Sequence, residues 1–229
     1  LVSNVIAKIE KDALVAGMID DKKDLDADGE GARAYGEAIG VYLTFGISRM
    51  ADIDNALCPW EPVKTQVRHL FGRQAIPMLW DYGENNIFNN AAGDYITSLK
   101  SIIRVIEKFE IDESTFPGIA EQYDVQADCG LRNIMISTDP PYYDNIGYAD
   151  LSDFFYIWLR QSLEKIYPKL FSTMLVPKTD ELIAAPYRYK GNNEKAKSFF
   201  ENGMLEACKK IHKRSEERRV GKECCGAGG

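Results

Sequence analysis

Asp139-Pro140-Pro141-Tyr142 stands two residues after the short apolar run Ile134-Met135-Ile136, and its residue types restrict the chemistry open to it. Two consecutive prolines narrow the backbone to few conformations and supply no N–H, so the turn presents acceptors only. The Asp139 carboxylate is one acceptor and the Pro140 carbonyl is a second. An exocyclic amine on a nucleobase is a poor nucleophile because its lone pair is delocalised into the ring. Two acceptors on one side of that nitrogen favour the more tetrahedral geometry it needs to attack a methyl sulfonium. Tyr142 adds a flat face on which a base can stack, worth roughly 1–3 kcal/mol. A base in duplex DNA must first be flipped out, at a cost of a few kcal/mol that such contacts offset. The competing reading of the same residues is structural, an Asp N-cap followed by Pro at the first helical position. The apolar run before the motif and the aromatic cluster Tyr142, Tyr143 and Tyr148 after it favour a site.

The elements around the motif have to position it. An apolar, β-branched run that empties into a polar turn reads as a buried strand, here ending at Thr138. Ligands of open α/β sheets bind at the carboxyl ends of strands. A second short strand is expected to end at Asp128. Upstream, residues 3–19 carry a helix-like pattern and run into the polar stretch 20–29, a surface loop. Ala34, Ala38, Val41, Tyr42, Phe45 and Ile47 predict the buried face of a long helix over about 32–57. Pro59, Pro62 and Gly72 punctuate the segment after that helix. Asp94 is placed to cap a helix running to about Phe109, with Ile96, Leu99, Ile102, Ile103 and Ile106 inward. Pro117-Gly118 marks a turn.

After the motif, Asp150 with Asp153 three residues on resembles a capping box for a helix that Pro168 ends. In that helix the stripe Phe154, Phe155, Ile157, Trp158 and Leu159 reads as core. A last helix is expected over about 193–213. Strands alternating with helices favour an α/β fold. The expected organisation is an N-terminal helix and polar loop over 1–31 and one domain over 32–214. The stretch 215–229 abandons helical periodicity, resembles translated sequencing-adaptor sequence, and is set aside as a non-native tail.

Composition removes several classes of function. Hydrophobic content of 45% and charged content of 28% are ordinary for a globular protein. No apolar run approaches the ~18 residues a membrane span requires, and no signal sequence opens the chain. Cys58, Cys129, Cys208, Cys224 and Cys225 form no C-x-x-C pair, so no metal site is expected and scattered thiols fit a cytoplasmic protein. The net charge of −7 is uneven: residues 1–159 hold 13 Lys/Arg against 26 Asp/Glu, and residues 160–213 hold 11 against 6. Arg188, Lys190, Lys195, Lys197, Lys209, Lys210 and Lys213 make the part after the motif locally basic. Phosphate contacts need local positive charge, not a positive total. A solvated helix face is the other reading of these residues.

The run from Asp139-Pro140-Pro141-Tyr142-Tyr143-Asp144-Asn145-Ile146-Gly147-Tyr148 through Arg160 resembles the signature of the DUF1156-type adenine-specific DNA methylases. The resemblance extends to residues 38–43, 74–85 and 176–188 and covers most of 30–210. It implies a class I methyltransferase, here a partial Rossmann-like α/β fold with additional helices. It also implies S-adenosyl-L-methionine (AdoMet) as cofactor and, as substrate, the N6 of an adenine flipped out of DNA. Asp139, Pro140, Pro141 and Tyr142 would be the catalytic motif, with Tyr143 and Tyr148 at the base. Asp128 would take the place of the acidic residue that contacts the cofactor's adenine, although a strand-terminal Asp is often a turn former. Trp80, Asp81, Glu84 and Asn85 match a family motif whose role the residues do not reveal. Lys178 and Glu181 either contact substrate phosphate or pair with each other. The family suggests restriction-modification or phage defence, with no partner specified.

The aromatic-x-Gly-x-Gly turn by which class I methyltransferases hold AdoMet follows no strand here, and Asn86-Ile87 replaces the family's Asn-Pro. With no initiator Met, the chain is expected to be a C-terminal fragment, inactive alone. The open alternatives are another planar amine (cytosine N4, RNA adenine or a protein amide) and a non-catalytic DNA-binding piece.

Overall fold

The computed structural model describes residues 2–91, 93–109 and 118–215. The chain divides into two compact units, one made of Leu1–Pro117 with Tyr148–Lys178 and the other of Gly118–Gly147 with Thr179–Gly229. The first contains helices α1 (Val2–Val15), α2 (Ala32–Ala51), α3 (Tyr95–Ile106) and α4 (Tyr148–Leu163) and strands β1 (Trp60–Glu61) and β2 (Gln66–Val67). The second contains a 3₁₀ turn over Pro186–Tyr189 and helix α5 (Asn193–Arg214). No described helix is long and apolar enough to cross a membrane.

Helix α2 is the hub of the first unit and packs against α1, α3 and α4. Its buried residues are small or polar, including Gly36, Gly40 and Thr44 at four-residue spacing. That stripe lets a neighbouring backbone approach, and Ile6 of α1 lies against Gly40. Thr44 satisfies its buried hydroxyl by donating to the Gly40 carbonyl at 2.8 Å. The expected aromatic face does not go inward: Tyr42 and Phe45 stand 38% and 46% exposed, edge-on to each other. Close approach on the small-residue side turned the larger residues outward.

The polar loop before α2 is held by one carboxylate. Asp21 accepts from the backbone N–H of Lys23, Glu30 and Gly31 at 3.1, 2.8 and 3.1 Å. Gly31 is packed so closely that a Cβ there would stand 2.6 Å from the Ile19 carbonyl, which itself accepts from Ala32 N. Gly31→Ala is expected to cost about 1–3 kcal/mol by forcing backbone apart. Urea unfolding would show a lowered midpoint at unchanged slope.

Helix α3 starts where Asp94 predicts. Its side chain accepts from Thr97 N at 2.9 Å and from Asn90 N at 3.1 Å. These backbone donors, Thr97 first, hold the buried carboxyl below its ordinary value against the opposing effect of burial. A lowered folded-state pKa gives stability that is present above the unfolded value of about 4 and is lost as pH falls through the folded value. Wild type should therefore exceed Asp94→Asn in urea midpoint at pH 7, and the gap should narrow below about pH 4. The expected inner face is rotated. Ile96, Ile103 and Ile106 are exposed, and α3 meets α2 through Tyr95 and Leu99 beside Gly46. Ser98 is buried and bonded to the Asp94 carbonyl at 3.0 Å.

Helix α4 begins at Tyr148, so Asp150 lies inside its first turn instead of capping it. Asp153 accepts from Val176 N at 2.9 Å and from Lys178 Nζ at 2.7 Å, fastening the segment that follows the helix. The core groups Tyr156, Leu163, Ile166 and Phe171 with Ile6, Val41 and Leu159 around it. Of the expected aromatic stripe, Phe154 and Phe155 pack on Phe71, while Ile157 and Trp158 are 46% and 42% exposed.

The described residues form a mainly helical architecture with one small antiparallel sheet, β1 against β2, pairing Trp60 with Val67 and Glu61 with Gln66. They contain no parallel, Rossmann-like sheet. Where strands were expected, Ile134 makes an isolated parallel bridge with Ser215, Met135 is 97% exposed, and Asp128 follows a turn. A strand is completed by its neighbours, and this run has one bridging residue beside it. Pro117 of the expected turn, and residues 216–229 of the tail, lie outside the described residues.

Candidate functional site

The Asp139 turn belongs to the second unit and is built without regular secondary structure. Asp139 is exposed, and its Oδ1 accepts from the Tyr142 hydroxyl at 3.0 Å. Its other carboxylate oxygen has no hydrogen bond among the described residues. Tyr142 is 60% exposed, so an open acceptor and a largely exposed aromatic residue stand on one short turn.

What fixes the turn is its next residue. Tyr143 adopts φ +51°, a left-handed conformation uncommon for an aromatic residue. Its carbonyl accepts from Ala184 N at 2.9 Å, and its ring meets Phe200 of α5 edge-on at 5.1 Å. Asn145 N closes the turn onto the Tyr142 carbonyl at 3.0 Å. Tyr143 therefore anchors the turn, with 42% of its surface left exposed. Tyr148 is the first residue of α4 in the other unit and is 54% exposed.

Asp128 lies in the same unit as the turn. Its two oxygens accept from the Arg132 guanidinium at 2.9 and 2.8 Å, and Oδ1 also accepts from Gly130 N at 3.0 Å. The Arg132 guanidinium, reinforced by the Gly130 amide, holds its carboxyl well below the usual carboxylate range. This is a turn-forming aspartate with both oxygens engaged.

The basic residues after the motif divide into two groups. Arg188 pairs with Glu181 at 2.6 Å, Lys209 with Glu206 at 2.6 Å, and Lys197 with Glu201 at 4.0 Å. Lys190, Lys195, Lys210 and Lys213 form no ion pair among the described residues and leave their charge to solvent.

The first unit carries a separate cavity, just past the end of α2. An open cavity of about 400 Å³ is lined by Asp54, Asn55, Tyr82, Glu84 and Asn85. The 82–85 loop crosses the β1–β2 hairpin at Gly83, where a Cβ would stand 2.9 Å from Val67. Glu84 and Asn85 were legible as part of a motif, whereas Trp80 of that motif is fully exposed. Asp54 had no sequence signal, because one more acidic residue after a helix reads as a solvated turn.

Comparison of the chain with protein-family models, with curated proteins and with solved structures finds no match.

Proposed function

We propose that the Asp139–Tyr142 turn is the amine-orienting part of a DNA methyltransferase that transfers a methyl group from AdoMet to N6 of adenine. The observation that carries this reading is the exposed pairing of Asp139 with Tyr142 on a turn that offers no backbone donor at either proline. Asp139 and the Pro140 carbonyl accept from the two N–H groups of the amine and leave its lone pair directed away from the base plane. Tyr142 stacks on the base, and its hydroxyl fixes the orientation of the carboxylate. The unpaired lysines of α5, in the same unit, supply positive charge for phosphate.

The methyl donor does not fit the described residues. Both Asp128 oxygens are engaged, and no glycine-rich turn follows a strand among the described residues. Asp139, Pro140 and Tyr142 account for the amine side alone. The protein, expressed as its full reading frame in a host without other DNA methylases, should leave N6-methyladenine in digested host DNA by mass spectrometry. N4-methylcytosine in its place would redirect the substrate, and unmodified DNA would defeat the proposal.

A further inference from the structure

The Asp139–Tyr142 turn has no regular secondary structure, so something outside it has to fix where its carboxylate and ring stand. Tyr143 is the point of attachment, and its conformation shows that it is held. A non-glycine residue at φ +51° persists only where its surroundings over-determine it. Distant parts of the same unit do so. Ala184 N donates to the Tyr143 carbonyl at 2.9 Å, and the Phe200 ring meets the Tyr143 ring at 5.1 Å and 85°. An edge-to-face pair is directional, so it fixes the angle of the ring as well as its place. The Tyr143 hydroxyl makes no hydrogen bond among the described residues, which leaves the ring contact to hold the side chain.

Both contacts are backed by packed structure. Leu182, Ile183, Ala184 and Ala185 are all buried. Leu182 sits so close to Gly203 of α5 that a Cβ on the glycine has no room. On α5, Phe200 shares a face with the buried residues Ala196, Gly203 and Ala207 and is the large side chain of that stripe. Segment 182–185 and α5 thus form one packed support, and Phe200 is the side chain by which α5 reaches the turn.

We propose that Phe200 is a positioning residue for methyl transfer: acting through Tyr143, it sets where Asp139 and Tyr142 present themselves to the amine. This role rests on the methyltransferase reading of the turn, and Phe200 itself touches no reacting atom. A displacement of about 1 Å at a reacting centre costs on the order of 10²-fold in rate. A contact that holds such geometry acts on turnover more than on substrate affinity.

The test compares Phe200→Ala, Phe200→Tyr and Phe199→Ala in the full reading frame, by steady-state methylation of duplex DNA and by hydrogen exchange at the Ala184 amide. Phe199 is the neighbour on the same helix, and its ring partner is Tyr189 at 5.8 Å. Phe200→Ala should lower kcat roughly 10- to 100-fold while KM for DNA stays within about twofold. It should also speed exchange of the Ala184 N–H by about tenfold, because the bond to the Tyr143 carbonyl opens more often. Phe200→Tyr keeps the ring edge and should restore both. Phe199→Ala removes an equal ring from α5 and should leave kcat and Ala184 exchange near wild type, even where the melting temperature falls. Equal losses in Phe199→Ala and Phe200→Ala would overturn the proposal by reducing Phe200 to a stabilising residue. So would unchanged Ala184 exchange in Phe200→Ala. An active wild type with undiminished kcat in Phe200→Ala removes Phe200 alone, whereas a wild type that leaves DNA unmethylated removes the methyltransferase reading and this role with it.

Discussion

If the proposed function holds, Asp139→Ala in the full reading frame is expected to lower adenine methylation by roughly 10²–10³-fold, the usual loss when one preorganised group at a reacting centre is removed. The physical reason is that the carboxylate's open oxygen has no substitute on the turn, where neither proline provides a polar side chain. The fold should not respond. Asp139 is exposed, its hydrogen-bond partner is the Tyr142 hydroxyl, and exposed substitutions of this kind change stability by about 0.5 kcal/mol or less. Asp139→Asn retains a neutral acceptor and should fall between the two. Tyr142→Phe keeps the stacking face while losing the hydrogen bond to Asp139, and should cost much less than Tyr142→Ala, which loses stacking worth roughly 1–3 kcal/mol. Rates of N6-methyladenine formation, measured beside thermal unfolding of each variant, separate catalysis from folding. Undiminished methylation by Asp139→Ala would remove the turn from the active centre.

Phe171→Ala is expected to lower the stability of the first unit by about 3–5 kcal/mol. Phe171 is 5% exposed and its ring lies 5.5 Å from that of Tyr156 in the core shared with Leu163 and Ile166. Truncation removes the ring's burial and leaves a void that the surroundings are poorly placed to fill. The Tyr156 hydroxyl is fixed to the Thr173 carbonyl at 2.8 Å, and Phe171's own backbone is tied to Tyr167 and Arg160 at 3.2 Å each. With both sides pinned, collapse into the cavity is limited and the loss should sit toward the upper end. Against a typical total of 5–15 kcal/mol, that is a large fraction. Phe171→Leu, which keeps most of the volume, should cost about 1.5 kcal/mol or less. A Phe171→Ala loss under about 1 kcal/mol in urea titrations would mean that this side chain is not core.

Helix starts were the most legible part of the sequence, because a cap is a local bond between a side chain and the backbone three residues on. Asp94 with Thr97 is such a pair, and α3 begins beside it, whereas Asp150 of the expected capping box lies inside the first turn of α4. Helix faces were less legible. Counting large apolar residues selected Tyr42 and Phe45 on α2, but the neighbouring helices came in along Gly36, Gly40 and Thr44. Which stripe is buried depends on the partner, and the partner is not encoded in the window. Strands were least legible: Ile134–Ile136 has the right composition, yet Ser215 offers it only a bridge.

The site divides in the same way. Asp139 and Tyr142 could be read as a pair because they are neighbours in sequence. The anchoring of Tyr143 could not, since Ala184 and Phe200 reach it from distant parts of the chain.

The division of the chain has a practical consequence for anyone dissecting it. The segment from Tyr148 to Lys178 interrupts the unit that carries Asp139, so each unit is assembled from two separate stretches of sequence. No single truncation or proteolytic nick can therefore release either unit whole. Starting the chain at Gly118, removing 148–178 and joining Gly147 to Thr179 through a linker is the simplest way to isolate the turn with α5. Ordinary N- and C-terminal shortening would instead yield pieces with half a core, whose insolubility would say nothing about the activity of the rest.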